Sequence, residues 1–437
     1  MKYHVWTEGC QMNVADSERV SSALEHLGYN YTPVIEEADV VVLNTCVVRQ
    51  SAEEKAYGRL TTLWPTKRAR PEMVINLMGC LVGIRDNPKL HKRFPYVDVF
   101  SAPSDPGPLV EYLIEHHGHA VDTAETVRRY AVMDGDLVLP EPAVGKQVIG
   151  WIPVVYGCSH ACTYCIIPYR RGIEHSRPPE EILKEARALA AQGIKEVTLL
   201  GQIVDRYSLD NPAYPTLARL MNQISEIDGI ERIRFLTSHP NWMNDELLDC
   251  VAENPKVMPH IEIPNQAGDD TVLENMKRGY TADQYRRLVQ KIRARIPGVS
   301  IATDIIVGFP GETDQQFRNT YDLLSELKLD SVHLARYSAR AGTVSERTMV
   351  DDVSEDEKWE RFRAIEKLQE GIFAEIHAAY LNKEVTVLFE EKMKNRWKGR
   401  TPNNKLVFVD GDESLLGQVR QVHIYWTGPW SMIGKLA

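Results

Sequence analysis

Short apolar runs alternate with stretches of helical periodicity along most of this chain, and that alternation limits the possible folds more than any other feature. Near the start, the runs at 40–43 and 73–77 are typical of buried parallel strands, while 16–27 and 52–63 have the helical spacing of apolar residues. The pattern predicts an α/β fold that begins with an open parallel α/β domain over residues 1–125.

A second βα series begins at residue 151. Its strand-like runs, separated by helical patterns, are at 152–156, 196–200, 232–236, 260–263, 300–306 and 331–337. Six units of this kind predict a partial (βα)6 barrel over residues 151–380, and the chemistry of such barrels takes place at the carboxyl ends of their strands. Residues 126–150 have no periodicity and are predicted to be a linker.

The last segment, residues 381–437, alternates apolar and polar residues between Gly and Asn turns, which predicts a small antiparallel β unit. The chain has a net charge of −10, but this segment carries nine Lys or Arg against six Asp or Glu. Basic residues surround an aromatic one in its first half, a combination that suits phosphate contact and base stacking. A solubilising hairpin loop is the alternative. The predicted RNA-binding residues are Lys392, Lys394, Arg396, Trp397, Lys398 and Arg400.

Six of the seven cysteines fall into two groups of three. The compact group, a C-x3-C-x2-C directly after the first predicted barrel strand, is Cys158, Cys162 and Cys165. The dispersed group, each member of which follows a predicted strand of the first domain, is Cys10, Cys46 and Cys80. Carboxyl ends of parallel strands meet at one sheet edge, so the dispersed group is expected to converge there. Three thiolates hold a 4Fe–4S cluster and leave its fourth iron open, which predicts two such clusters in an enzyme.

Simpler interpretations of the cysteines remain open at this point. Each dispersed cysteine taken singly is as easily a small buried hydrophobe, and Cys250, within a helical pattern, is predicted to be one. The compact group with His160 is compatible with a structural Cys3His zinc site, although the place of His160 between two of the cysteines strains a closed tetrahedron.

Cysteine usage and hydropathy also indicate a compartment. An odd number of cysteines with C-x-x-C-type spacing points to metal in a reducing compartment. No apolar run reaches the roughly 18 residues of a membrane span. A cytoplasmic protein without a membrane partner is therefore expected.

The compact cysteine group, written GCSHACTYC, resembles the radical S-adenosylmethionine superfamily. That resemblance implies a cluster whose open iron binds S-adenosylmethionine, which one electron cleaves to a 5′-deoxyadenosyl radical. It also implies that Tyr164 lies near the adenine and that Gly201 and Gln202 hold the methionine amine. For each further contact at the barrel mouth, an ordinary structural polar residue is the alternative. These further predicted contacts, expected to end the third, fourth and fifth strands, are Ser238, Gln266 and Asp304.

Motifs along nearly the whole chain resemble the radical S-adenosylmethionine methylthiotransferase family, among them GCQMN at Cys10, NTCVVR at Cys46, PYRRG after the compact cysteines, and DIIVGFPGET. The final β unit resembles the TRAM domain, a small RNA-binding barrel. GCQMN, NTCVVR and PYRRG resemble the MiaB-type branch, which methylthiolates isopentenyladenosine beside the tRNA anticodon. In PNQAGDD, Asn265 and Ala267 stand where that branch commonly has Val and Ser.

The resemblance implies a radical mechanism that uses two 4Fe–4S clusters and two S-adenosyl-L-methionine molecules. The cluster on the compact cysteines generates a radical that abstracts hydrogen from C2 of the adenine at tRNA position 37. The cluster on the dispersed cysteines presents the sulfur that is methylated and inserted there. No catalytic side chain beyond the cluster ligands is assigned. The implied partners are tRNA through its anticodon stem-loop, an electron donor such as flavodoxin or ferredoxin, and a sulfur donor.

Alternative functions remain open from the sequence. A related enzyme would modify threonylcarbamoyladenosine in tRNA or an aspartate of a ribosomal protein, and a protein of a different class would be a non-catalytic RNA-binding metalloprotein. Arg170 and Arg171 form a cationic pair that is expected to contact phosphate, although it is also suited to the carboxylate of a threonylcarbamoyl group. An apolar pocket for the isopentenyl group is expected at the barrel mouth.

Overall fold

The structure is a computed structural model that describes residues 1–85, 87–117, 139–411 and 413–437. These residues divide into two units. The first comprises residues 1–145, 151–160 and 165–192, and the second comprises residues 146–150, 161–164 and 193–437. Residues 126–138 of the predicted linker lie outside the described part of the chain.

One sheet organises the first unit. Its strands are β1 (Lys2–Thr7), β2 (Asn30–Tyr31), β3 (Val40–Thr45), β4 (Val74–Gly79) and β5 (Val99–Ser101). They lie in the order β2-β1-β3-β4-β5, and every pairing is parallel. The helices that accompany the sheet are α1 (Gln11–His26), α2 (Gln50–Ala69), α3 (Pro88–Arg93) and α4 (Gly107–His117). The predicted open parallel α/β domain is confirmed.

Both faces of this sheet are covered, which explains why its central strands are continuous apolar runs in the sequence. Val41 and Leu43 of β3 pack in one cluster with Leu60 of α2. Val42 faces the other side and packs in a second cluster with Leu24 of α1. Because β3 is buried along its whole length, the place open to a ligand is its carboxyl end.

A buried ion cluster ties the later segment of the first unit to α1. This segment contains the antiparallel pair β7 (Val155–Tyr156) and β8 (His175–Ser176), and helices α5 (Ile167–Arg171) and α6 (Pro179–Ala191). Glu185 of α6 is buried and pairs with Arg19 of α1 at 2.7 Å and with Arg177 at 2.8 Å. Burial alone would raise the pKa of the Glu185 carboxyl, but the two guanidinium groups hold that pKa below its usual value.

The six strands of the predicted (βα)6 barrel form two three-stranded sheets. The strands are β6 (Ile149–Pro153), which starts in the second unit, β9 (Glu196–Leu200), β10 (Arg232–Phe235), β11 (His260–Glu262), β12 (Ser300–Val307) and β13 (Ser331–Arg336). The sheet orders are β10-β9-β6 and β11-β12-β13. The pairs β9–β10, β11–β12 and β12–β13 are parallel, as βα units require. All six predicted strands are therefore present.

Helices accompany these strands, and side-chain caps explain where several of them begin. They are α7 (Leu217–Ser225), α8 (Asp245–Glu253), α9 (Asp270–Asn275), α10 (Ala282–Arg295), α11 (Asp314–Leu327), α12 (Val344–Thr348) and α13 (Glu355–Ala378). Thr281 and Gln284 exchange side-chain-to-amide hydrogen bonds at the start of α10, and Thr313 and Gln316 do so at α11. No helix in the described ranges is long and apolar enough to cross a membrane.

The C-terminal segment closes into a five-stranded barrel. Its strands are β14 (Glu384–Met393), β15 (Arg396–Arg400), β16 (Leu406–Asp410), β17 (Val419–Thr427) and β18 (Met432–Leu436), in the ring order β14-β15-β16-β18-β17. The pairing of β16 with β18 is parallel and the others are antiparallel. The predicted small antiparallel β-barrel is confirmed, with one parallel pairing that the sequence did not predict. A closed ring with an odd number of strands cannot alternate direction throughout, so one neighbouring pair has to be parallel.

The turn between β15 and β16 of this barrel is hydrogen-bonded to β10 of the second unit. Arg232 of β10 donates to the Arg400 carbonyl at 2.8 Å. Arg234, also of β10, donates to the Thr401 carbonyl at 3.0 Å and to the Pro402 carbonyl at 2.9 Å. Both arginine side chains are buried, so these carbonyls satisfy donors that would otherwise lack a partner.

Candidate functional site

The dispersed cysteines follow three neighbouring strands of the first sheet. Cys10 caps the start of α1 after β1, Cys46 directly follows β3, and Cys80 directly follows β4. The Cys80 amide donates to the Thr45 carbonyl at 2.9 Å, which holds the ends of β3 and β4 in register. The Cys46 and Cys80 thiols lie close enough for the pKa of each to depend on the other. The structure thus brings this group to one edge of the sheet.

Asparagine and glycine fix the turns that carry these sulfur atoms. Asn13 accepts hydrogen bonds from the Cys10 amide at 3.3 Å and from the Cys10 thiol at 3.4 Å. The same Asn13 donates to the Asn44 side chain at 2.9 Å and to the Thr45 carbonyl at 3.1 Å. Gly79, before Cys80, has φ of +94°, and a Cβ there would lie 2.5 Å from the Thr45 carbonyl oxygen. GCQMN, NTC and MGC are therefore turn motifs as well as cysteine motifs.

A buried arginine lies behind the dispersed cysteines, in a role that the sequence analysis did not give it. Arg171 of α5 donates from Nε to Cys80 Sγ at 3.3 Å, from Nη2 to Asp16 Oδ2 at 3.2 Å and from Nη1 to Ser104 Oγ at 3.3 Å. The expectation that Arg170 and Arg171 together contact phosphate or carboxylate of a ligand is wrong for Arg171. Its side chain is buried and its charge is already met by Asp16.

The thiols of this group differ in how readily they lose a proton. The neighbouring Cys46 thiol, and then the Arg171 guanidinium, lower the pKa of Cys80 despite its burial. The same contact with Cys80, together with burial, raises the pKa of Cys46. In the described residues, no three ligand atoms of this group lie within 4.8 Å of one another, the spacing that suits one ion. Cysteines that hold a multi-iron cluster bind different irons, so their sulfur atoms need not meet at one point.

The compact cysteines occupy the loop between β7 and α5. Cys158 is buried, and its amide donates to the Gly172 carbonyl at 3.0 Å. Gly157 has φ of +67°, and a Cβ there would lie 2.0 Å from the Ile173 carbonyl oxygen, so the GC start of the motif is required by backbone packing. The two half-buried members of the group are Cys162 and Cys165.

Cys162 belongs to the second unit, where a second buried arginine contacts it. Arg278 donates from Nη1 to Cys162 Sγ at 3.2 Å, from Nε to Tyr280 Oη at 3.0 Å and from Nη2 to the Pro264 carbonyl at 2.9 Å. Tyr164, the predicted adenine contact, is half-buried in the same short stretch of loop. Arg278 was not identified from the sequence, because nothing local in MKRGYT indicates a contact with a cysteine more than a hundred residues earlier.

The predicted S-adenosylmethionine contacts lie at or beyond strand ends, with one exception. Gly201 and Gln202 directly follow β9, and Ser238 follows β10. Gln266 follows β11 with φ of +77°, and its amide donates to the Asp304 carbonyl at 2.8 Å. Asp304 does not end its strand, contrary to prediction, because β12 continues for three more residues paired with β13. It therefore lies in the middle of β12.

Asp304 shares one face of its sheet with two ionisable residues that sequence analysis missed. Glu262 of β11, Asp304 of β12 and His333 of β13 place their ligand atoms within 4.8 Å of one another. Burial, and then the charge of Asp304, raise the pKa of Glu262 to about 8. The signal was present in the sequence, since each residue interrupts an apolar strand run at an alternating position.

Two buried polar side chains near the same strand ends have no hydrogen-bond partner in the described protein. They are Ser238, through Oγ, and Asn265, through both atoms of its amide. Buried polar groups are normally satisfied, so such atoms point to a polar group that the protein itself does not supply. Ser238, which follows β10, therefore has a hydroxyl that a polar ligand could satisfy.

The predicted RNA-binding residues are divided between the core and the surface of the C-terminal barrel. Trp397 is buried in the barrel core, so its ring is not available to stack on a base. Arg396 pairs with Asp410 at 2.9 Å, and Arg400 with Glu390 at 3.3 Å. Lys398 pairs with Glu391, and Lys392 lies 5.6 Å from the centre of the Trp397 ring. Lys394 lies in the turn between β14 and β15.

Exposed aromatic residues that the sequence analysis overlooked lie elsewhere on this barrel. Tyr425, Trp426 and Trp430 are each about half exposed. The register of β17 against β18 shifts between Ile424 and Trp426, and this bulge is why two consecutive aromatic residues both reach solvent. Strict alternation would have buried either Tyr425 or Trp426, so this exposed aromatic surface could not be predicted without knowledge of the bulge.

Comparison with known proteins identifies the family. Models of three families match the chain: the radical SAM superfamily over residues 152–324, the uncharacterized protein family UPF0004 over 2–102, and the TRAM domain over 378–437. A tRNA-2-methylthio-N(6)-dimethylallyladenosine synthase of Herpetosiphon aurantiacus is 45% identical over 100% of this chain and 97% of its own length. The chain belongs to the radical S-adenosylmethionine methylthiotransferase family.

Other relatives agree with this membership. A protein of the same description from Roseiflexus sp. (strain RS-1) is 44% identical over 100% of this chain and 90% of its own length. The solved radical S-adenosylmethionine methyltransferase TsrM of Kitasatospora setae has a TM-score of 0.55 at 17% identity, covering 76% of this chain and 72% of that chain. At that identity the likeness concerns the fold alone. The resemblance found in the sequence motifs is confirmed, and membership brings S-adenosylmethionine and a 4Fe–4S cluster.

Proposed function

We propose that this protein is a tRNA methylthiotransferase that inserts a methylthio group at C2 of isopentenyladenosine beside the anticodon, at position 37. The observation that carries the proposal is the identity of 45% over the whole chain with a protein named tRNA-2-methylthio-N(6)-dimethylallyladenosine synthase. Every motif-bearing segment of this chain is included in that match. A cytoplasmic location follows from a tRNA substrate.

Two 4Fe–4S clusters are part of the proposal. One would be held by Cys158, Cys162 and Cys165, and the other by Cys10, Cys46 and Cys80. The convergence of the dispersed group on one sheet edge supports the second cluster, as do the thiol of lowered pKa and the N–H donor that face it. When bound, the first cluster supplies one-electron reductive cleavage of S-adenosylmethionine and the second supplies sulfur. The proposed suppliers are a flavodoxin or ferredoxin for electrons and a separate sulfur donor.

The protein's own part is to bind and orient the cofactor and to exclude water from it. Proposed contacts of S-adenosylmethionine are Tyr164, Gly201, Gln202, Ser238, Gln266 and Asp304. The unsatisfied Ser238 hydroxyl and the left-handed backbone at Gln266 support this set, since both features indicate a site shaped for a ligand. Asp304 has a carboxyl neighbour in Glu262, whose raised pKa favours the protonated form.

The C-terminal barrel is proposed to hold the tRNA. Its phosphate contacts would come from Lys392, Lys394, Arg396, Lys398 and Arg400, which lie on or near its surface. Trp397 leaves the proposed set because it is buried. Base stacking is assigned instead to Tyr425 and Trp426, whose rings are exposed beside the bulge of β17.

The choice between isopentenyladenosine and threonylcarbamoyladenosine depends on whether the site offers a cation to pair with the carboxylate of the threonylcarbamoyl group. A threonylcarbamoyl carboxylate would need a cationic partner to offset its loss of water. Arg171 is not available, since Asp16 already pairs with it. This removes Arg171, but not Arg170, as a partner for a carboxylate, so the substrate assignment rests on the identity with the named relatives.

The test offers the anaerobically reconstituted enzyme three anticodon stem-loops that carry adenosine, isopentenyladenosine or threonylcarbamoyladenosine. Methylthio product is measured by mass spectrometry of digested RNA. We expect roughly a hundredfold preference for isopentenyladenosine over adenosine, because burying a five-carbon group contributes a few kcal/mol at about 0.8 kcal/mol per methylene. Preference for the threonylcarbamoyl substrate would refute the substrate assignment and leave the reaction class intact.

A further inference from the structure

Two buried arginines each donate to one proposed ligand sulfur, but their charges are met in different ways. Arg171, which contacts Cys80, forms an ion pair with Asp16 at 3.2 Å. Arg278, which contacts Cys162, has only neutral partners besides that sulfur. Within the described ranges no carboxylate pairs with Arg278, although its exposed fraction is 4%. A guanidinium so deeply buried without an anion is unusual, since an uncompensated buried charge costs several kcal/mol.

The surroundings of Arg278 hold it in one orientation. Tyr280 Oη accepts from Arg278 Nε and itself donates to the Asn265 carbonyl at 2.8 Å. The Pro264 carbonyl accepts from Arg278 Nη2. These contacts leave Nη1 directed at Cys162 Sγ, 3.2 Å away. The anion that this charge requires therefore belongs at the sulfur of Cys162.

We propose that Arg278 is a positioning residue that supplies the counter-charge and one N–H bond to the cluster bound through Cys162, and that it thereby raises the reduction potential of that cluster. The proposal rests on the assignment of Cys162 as a ligand. The affected step is the uptake of one electron from a low-potential one-electron donor, and no bond to Arg278 forms or breaks. A nearby cation stabilises the reduced form, since reduction adds negative charge, and N–H bonds to cluster sulfur act in the same direction.

Because the charges of the two arginines are compensated differently, the two proposed clusters should differ in how readily they accept an electron. The charge of Arg171 is shared between Cys80 and Asp16, whereas the charge of Arg278 has Cys162 as its only anionic partner within the described residues. Charge alone therefore favours delivery of the electron to the cluster that cleaves S-adenosylmethionine. The cluster that supplies sulfur is left without this advantage.

The experiment measures the reduction potential of one cluster in the full-length chain. Replacement of the dispersed cysteines with Ala leaves one cluster to observe, and this protein is the parent. Arg278→Gln removes the charge, and Arg278→Lys keeps it without the three-way hydrogen bonding of the guanidinium. The control is Arg361→Gln, because Arg361 is equally buried in the same unit but pairs with Glu312 at 2.7 Å and contacts no cysteine.

Midpoint potentials are read by electron paramagnetic resonance during an anaerobic redox titration. We expect Arg278→Gln to lower the equilibrium constant for one-electron reduction at least tenfold, a shift of about 59 mV to more negative potential. Arg278→Lys should stay within about threefold of the parent, because a point charge at this distance retains most of the Coulomb effect. Arg361→Gln should not move the potential.

Each outcome decides the matter. An Arg278→Gln protein that keeps its iron and the parental potential would overturn the proposal, and so would loss of iron from both position-278 variants, which would indicate a purely structural role. Loss of iron from Arg278→Gln alone, with Arg278→Lys and the control intact, supports a need for charge. A parent that holds no iron would refute the ligand assignment and the proposal together, whereas about four iron per chain with unmoved potentials refutes only the proposal.

Discussion

At the residue scale, the chemistry of the proposed sites depends on side chains that hold the cysteines as much as on the cysteines themselves. Asn44 is buried, donates to the Asn13 carbonyl at 2.8 Å and to Ser17 Oγ at 3.0 Å, and accepts from Asn13. This network fixes the turn after β1 against the end of β3. The sulfur of Cys10 therefore has a defined position before any metal is present.

Single cysteine replacements should separate the two proposed sites. Cys162→Ala should abolish formation of 5′-deoxyadenosine, because a ligand of the cleaving cluster is lost. Cys46→Ala should retain reductive cleavage of S-adenosylmethionine yet yield no thiolated RNA. Chromatography of 5′-deoxyadenosine and nucleoside mass spectrometry measure the two results. Cys250→Ala is the matched control, since Cys250 is buried in α8 and contacts Asn222 and the Ala218 carbonyl. Normal thiolation by Cys46→Ala would contradict the assignment of the dispersed group.

Glu262 should make the stability of the apoprotein depend on pH. Its pKa is raised to about 8, whereas an unfolded Glu titrates near 4.3. The stabilising contribution of the protonated carboxyl is full below pH 4.3 and is lost as pH rises through 8. Relative to Glu262→Gln, the parent should lose roughly 1–3 kcal/mol of unfolding free energy between pH 5 and 8, measured by urea denaturation. The exposed Glu274→Gln serves as control, and parallel profiles for parent and Glu262→Gln would refute the prediction.

At the element scale, the sequence predicted the strands and turns well, but it did not predict side-chain contacts between residues far apart in the chain. The apolar runs at β3 and β4 and the glycine before Cys80 are local signals, so the site edge of the first sheet was predictable. The cysteine contacts of Arg171 and Arg278 were not, because each arginine meets its cysteine across a long separation in the chain. No periodicity encodes such a pairing.

In β15 of the C-terminal barrel, the alternation of the sequence indicated that Trp397 is buried, but this pattern was misinterpreted. In β15 the residues alternate, with Trp397 and Gly399 buried and the basic residues between them on the outer side. The period-two rule places Trp397 in the core, yet clustering with basic residues suggested a stacking role. The exposed aromatic residues at Tyr425 and Trp426 depend on a bulge, which the sequence pattern did not reveal.

Two glycines with positive φ should respond very differently to alanine. Gly79 at the end of β4 has φ of +94°, and a Cβ would lie 2.5 Å from a backbone oxygen, whereas Gly28 has φ of +86° with no atom within 4 Å of its Cβ position. Gly28→Ala should therefore cost about 1 kcal/mol for the left-handed conformation alone. Gly79→Ala should cost about 1–3 kcal/mol more and lower the iron content of the dispersed site. Urea denaturation and iron analysis compare them, and equal costs would contradict this account of the turn.

At the scale of the whole molecule, the C-terminal barrel stabilises strand β10 of the second unit in addition to its proposed contact with RNA. Arg232 and Arg234 lie buried in β10 and find acceptors in the Arg400, Thr401 and Pro402 carbonyls. Lys405 adds an ion pair with Asp330. The sequence predicted a small RNA-binding β unit over residues 381–437, from its alternating pattern and its local excess of basic residues. It could not predict these contacts, which involve backbone carbonyls that carry no compositional signal.

Removal of the C-terminal barrel should therefore do more than weaken RNA binding. Deletion of residues 382–437 would remove the carbonyl acceptors of Arg232 and Arg234 and the Lys405–Asp330 ion pair, at about 1 kcal/mol net for each hydrogen bond that water replaces. The apparent unfolding midpoint of the truncated protein should fall by several degrees, measured by thermal scanning at one fixed scan rate. Cleavage of S-adenosylmethionine without RNA should decline in parallel.

A full-length variant separates support from RNA contact. Neutralising Lys392, Lys394, Arg396 and Lys398 with Gln removes charge and leaves every carbonyl that receives Arg232 and Arg234 in place. Its unfolding midpoint should match the parent, since the ion pairs that it removes are mostly exposed and contribute little. Its tRNA affinity should fall, and the slope of log affinity against log salt should decrease by nearly one for every phosphate that is no longer neutralised. Parental affinity and slope in this variant, measured by filter binding between 50 and 200 mM salt, would exclude these residues from the RNA surface and leave the exposed aromatic residues of β17 to carry it.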